Sequence, residues 1–167
     1  VNYELYDGVP VLSKWIAIHN ESTTPVLVEN IVSEYLGITD HDPYGGYRDR
    51  DDLKVKPNIH FETDYAFSAG RVAVANHQTV HWEADQDYVT QISWVQDIPN
   101  TIKIFPDQGY HQQVKPGESL ESIRTFLLPY DSYDKERNGL ALRKMYRTIA
   151  PWITENPMMF HITRSGL

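Results

Sequence analysis

The chain contains no cysteine. That excludes a disulfide framework and any thiolate metal site, and it leaves the compartment open, because a cysteine-free chain suits the cytoplasm, the periplasm and the cell exterior equally. Positive charge is also scarce: 15 Lys and Arg stand against 23 Asp and Glu, a formal net charge of −8. Nucleic-acid affinity comes largely from basic surface, so nucleic acid is excluded as a partner class. An anionic membrane surface suits the chain no better, and no run approaches the roughly 18 apolar residues that a spanning helix needs. The start carries no signal-peptide pattern. It opens on Val1, directly in strand-like sequence, and the expectation is a piece excised from a longer protein. No Gly-rich phosphate loop and no Ser nucleophile elbow appear, so no cofactor is expected.

What is present points to β-structure. The 167 residues are 41% hydrophobic, enough for one domain with a real core. Eleven Tyr and four Trp suit β-cores and sugar sites alike. Tyr3-Glu4-Leu5-Tyr6 precedes the turn Asp7-Gly8-Val9-Pro10, and Val11 to Asn20 reads as a long half-buried strand. Glu21 to Pro25 is a polar turn, and Val26 to Ile38 is rich in β-branched residues, so these two long runs are expected to pair as a hairpin. Strand patterns resume at Ile59–Phe67, Val80–Glu83, Tyr88–Val95, Thr101–Phe105, Tyr110–Val114 and Ser119–Leu128. About nine strands separated by turn signals indicate a β-sandwich of two antiparallel sheets.

The period changes near the end. Leu142, Met145, Tyr146 and Ile149 fall at i, i+3, i+4 and i+7, one apolar stripe of a helix over about 134–149 that Ser132 or Asp134 can cap. Arg143, Lys144 and Arg147 lie off the stripe, and Pro151 stops the helix near Thr148 or Ile149. Residues 152–162 then turn apolar and strand-like. Met158, Met159, Phe160 and Ile162, with Trp152 and Ile153, are expected to form a sticky segment through which the chain self-associates.

Three stretches carry a family resemblance. Tyr3 to Trp15 is similar to the opening hairpin of the N-terminal β-supersandwich domain of α-galactosidase-like glycoside hydrolases (family 36 and its neighbours), which leads into a polar asparagine turn. Gly117 to Phe126 resembles the strand that ends such domains, and Asp134 to Arg137 with Arg143 to Arg147 resembles the helix that links them to a catalytic (β/α)8 barrel. The resemblance implies an all-β, two-sheet antiparallel supersandwich of the galactose mutarotase-like kind with one C-terminal linking helix. It divides the chain into a β-sandwich domain over 1–130 and, over 131–167, the linking helix and the start of the barrel. Carbohydrate, that C-terminal barrel and further copies of the chain are then the partners. The family's nucleophile and acid/base sit on the barrel, so no catalytic residue is carried over to this chain, and it is expected to have no glycosidase activity alone. The rival readings are an autonomous carbohydrate-binding module and a complete sugar epimerase. The amphipathic helix counts against the first, and the lack of a His/Glu constellation against the second.

Residues 39–58 form a long loop, the kind that carries function more often than average. Tyr44 and Tyr47 offer flat apolar faces, while Asp42, Arg48 and Asp49 offer the directional hydrogen bonds that sugar hydroxyls need. A sugar-facing loop and a merely solvated one both fit. Calcium does not, because the EF-hand spacing is absent and Arg48 and Arg50 repel a cation. His77 and His81 would lie roughly 13 Å apart along a strand, too far to share zinc. Trp15, Trp94 and Trp152 are assigned to core or interdomain packing. Glu118 and Glu121 belong to a turn and a strand, without a desolvating context for acid catalysis.

Overall fold

A computed structural model of the chain describes residues 1–38, 58–65, 76, 78–84 and 100–155. The first hairpin forms where the sequence turns at Asp7-Gly8. Strand β1 (Asn2–Leu5) pairs antiparallel with β2 (Leu12–Trp15), from Asn2↔Trp15 to Leu5↔Leu12. Gly8 takes φ 75°, a left-handed conformation that costs glycine little.

β2 stops at Ile16 and the chain resumes as β3 (Ala17–His19). Its neighbour breaks at the same level: the expected strand 119–128 is two, β10 (Ser119–Glu121) and β11 (Thr125–Pro129). β3 pairs with β10 and β2 with β11. Two hydrogen bonds bridge the paired break, Ser122 N to Ile16 O at 2.8 Å and Ile16 N to Ser122 Oγ at 2.9 Å. Strand β6 (Ile59–Thr63) adds to the far side of β11, giving the order β1-β2-β11-β6.

A second antiparallel layer is built of β5 (Glu34–Ile38), β8 (Asn100–Ile104) and β7 (Val80–Ala84) in the order β5-β8-β7, and β4 (Val26–Val28) and β9 (Gln112–Val114) form a separate two-stranded sheet. The expected hairpin between 11–20 and 26–38 therefore does not form, because the two runs enter different sheets. The reason lies in the segment between β4 and β5. Glu29 O accepts Tyr110 N at 2.7 Å and His111 N at 3.2 Å, which draws the chain toward β9. Gly109 makes that approach possible: its φ is 65°, and a Cβ there would lie 2.6 Å from Glu29 O.

Three apolar clusters follow from strand alternation. Leu127 and Phe61 meet Ile102 and Ile104 of the second layer, with Trp82 edge-on to Phe61 at 5.7 Å. Phe126 and Leu128 point the opposite way, onto Val11 and Met145. Ile31, Val114 and Leu120 close the end where β3-β10 and β4-β9 lie. Between the layers Ser33 Oγ and Thr125 Oγ1 share a hydrogen bond of 3.1 Å, and Lys14 Nζ meets the buried Glu34 Oε1 at 2.7 Å.

Helix α1 (Lys135–Ile149) starts at Asp134, whose Oδ1 accepts Arg137 N at 2.8 Å. Ser132, the other candidate cap, instead accepts Asp134 N. The expected stripe is the buried one: Leu142, Met145, Tyr146 and Ile149 face the first layer, while Arg143, Lys144 and Arg147 are exposed. After Pro151 the chain does not become a strand. Trp152–Glu155 is a short helical turn, α2, because proline's fixed φ suits a first helical position and Pro151 O accepts Thr154 N at 3.0 Å. The expected strand 88–95 and the segment 156–162 lie outside the described residues. The described chain is thus mostly β, in antiparallel sheets, with one long helix.

Candidate functional site

The five loop residues Asp42, Tyr44, Tyr47, Arg48 and Asp49 lie outside the described residues, as do His77 and Trp94. His81 packs at a strand edge, its ring stacked on Phe105 at 4.3 Å and its Nε2 3.3 Å from Asp107 Oδ1. Among the described residues no three His, Asp or Glu side chains group as a metal ion would require. Glu118 accepts the Lys115 backbone N–H within its turn at 3.0 Å.

The described residues bring a different set together. Where α1 ends against the first layer, a cleft of about 280 Å³ opens beside Trp152. Tyr6 and Phe126 form an apolar wall, their ring centroids 6.5 Å apart, and Ile149 and Ala150 continue it. Trp152, assigned from sequence to packing, borders this space and is 63% exposed. The polar side is Glu62, Thr63, Asp64 and Arg124.

Strand geometry puts these polar groups there. Phe61 is buried toward the second layer, so its neighbour Glu62 points toward α1. Tyr146, on the apolar stripe of α1, donates its hydroxyl to Glu62 Oε2 at 2.5 Å, and His60 Nε2 bonds the same oxygen at 3.0 Å. Burial, then the bond to Glu62, pushes the Tyr146 phenol well above its ordinary 10.0. Burial raises Tyr130 too, with the Glu62 charge adding to it. Asp64 and Arg124 lock two strand ends together: Arg124 N donates to Asp64 Oδ1 at 2.8 Å and Asp64 N to Arg124 O at 3.1 Å. The Arg124 guanidinium lies 3.9 Å from the Trp15 ring centroid and donates through Nη1 to Glu4 Oε2 at 2.8 Å. Among the described residues, Glu62 Oε1, Asp64 Oδ2 and Arg124 Nη2 have no protein hydrogen-bond partner.

The cleft therefore combines flat apolar surface with polar side chains, and can hold a small molecule that has both characters. Sequence reading missed it because its members come from four distant places: Tyr6, Glu62–Asp64, Arg124–Phe126 and Ile149–Trp152. One signal was legible, a Trp directly after the helix-stopping Pro151. Compared with known proteins, the chain matches no family model, no curated protein and no solved structure.

Proposed function

We propose that this chain is a non-catalytic accessory domain of an α-galactosidase-like glycoside hydrolase, a supersandwich whose helix α1 leads toward a catalytic barrel. One observation carries the reading. The three stretches that resemble that family are far apart in sequence, yet they make one structural unit. Tyr3–Trp15 is the β1-β2 hairpin, Gly117–Phe126 supplies the start of β11 beside β2 and β10 beside the following β3, and the Asp134–Arg147 helix packs on the hairpin's sheet through Met145. A helix docked on a sheet in this way holds a following domain at a fixed position, because its apolar stripe cannot rotate away without exposing its core. The domain braces the barrel and takes part in assembly with further copies. Translation of the gene beyond residue 167 tests this. The expected sequence alternates strands and helices, with Asp at strand ends; a stop codon or an unrelated pattern there would sink the reading.

A further inference from the structure

We infer that the cleft beside Trp152 is a binding site for one neutral hexopyranose ring. The choice of ligand class rests on the carbohydrate reading above; the site itself rests on geometry. Three observations lead to it.

First, the volume of about 280 Å³ falls just under that of small-molecule sites, which run from roughly 300 to 1,000 Å³. That is room for a single ring, with the open side left for a neighbouring residue of a longer saccharide.

Second, the walls have the two-sided chemistry a pyranose requires. A sugar ring has an apolar face of C–H groups and an equatorial belt of hydroxyls. Trp152 borders the cleft and is 63% exposed, so its ring is open to a ligand. Phe126 and Tyr6 extend the apolar surface on the sheet. Glu62 Oε1 and Asp64 Oδ2 are acceptors and Arg124 Nη2 a donor, each lacking a protein partner among the described residues. Hydroxyls donate and accept, so they satisfy both kinds of atom. The opposite ends of these side chains are held: Glu62 Oε2 by Tyr146 and His60, Asp64 Oδ1 by the Arg124 backbone, and Arg124 Nη1 by Glu4. Groups fixed in this way lose little freedom when a ligand arrives.

Third, charge selects among sugars. Two carboxylates and one guanidinium line the cleft, and Glu4 already engages the guanidinium. The balance is negative, so a uronate or sulfated sugar is repelled while an uncharged ring is not.

The test is a nuclear magnetic resonance titration of the full 167-residue chain with methyl hexopyranosides in gluco and galacto configuration, and with the matching uronate. The expected result is saturable binding of at least one neutral glycoside, with uronate at least tenfold weaker. W152A weakens binding tenfold or more at an unchanged melting temperature, since the exposed indole carries no core. D64N keeps the Oδ1 acceptor for Arg124 but replaces the free carboxylate oxygen, and weakens binding severalfold. Absence of binding by any neutral glycoside overturns the inference. So does binding that W152A and D64N leave unchanged, or uronate binding as tightly as the neutral sugar. If the cleft is silent while the gene continues into a barrel, the site falls and the accessory-domain reading stands.

Discussion

Asn20 shows how much one polar side chain can decide. Its Nδ2 donates to Val114 O at 2.8 Å and Thr24 O at 2.9 Å, and its Oδ1 accepts Ser22 N and Ser22 Oγ. Its backbone meets the 115–118 turn on both sides, through Glu118 O and Gly117 N. Every hydrogen-bonding atom of a buried amide is thus occupied, and the turn that sends the chain from β3 to β4 is tied to β9. N20A strands a buried carbonyl and unties the turn. It should lower unfolding free energy by about 2–3 kcal/mol, read from urea denaturation. A loss below about 0.5 kcal/mol would mean that the turn is held by its backbone alone.

At the scale of elements, the docking of α1 is the contact with most at stake. Met145 is fully buried between the helix and Leu128 of β11. M145A leaves a cavity there and should cost about 3 kcal/mol by chemical denaturation, against under about 0.5 kcal/mol for an exposed change such as K144A. The helix was legible in sequence to within a residue, because a 3.6-residue stripe, a capping Asp and a stopping Pro all agree. Among the described residues strand positions were legible as well, but their lengths and partners were not. Val11–Asn20, Val26–Ile38 and Ser119–Leu128 each read as one run, and each is two strands in different pairings. Apolar alternation continues through such a break, whereas the bonds that cause it come from distant residues such as Ser122 and Tyr110. The cleft was illegible for the same reason: no local pattern announces that Glu62, Arg124 and Trp152 meet.

For the whole molecule, several partly buried phenols give stability a definite pH dependence. Tyr146, Tyr130 and Tyr110 all have folded pKa values raised above 10.0, chiefly by burial. A raised folded pKa means that the native state holds its proton where the unfolded chain has lost it. The contribution is therefore full below pH 10.0 and is lost as pH rises through the folded values. Thermal melts should show the melting temperature falling from about pH 10 upward, and Y146F should flatten that fall. An unchanged slope in Y146F would remove Tyr146 from this account.

The accessory role proposed above leaves the acid and nucleophile of glycoside cleavage to another domain and support to this one. Hydrolysis of an aryl α-galactoside, followed side by side for the complete gene product and for this 167-residue chain, tests that claim most directly. The account predicts turnover by the complete product and none by the chain. Turnover by the isolated chain, abolished by a substitution within it, would contradict the account.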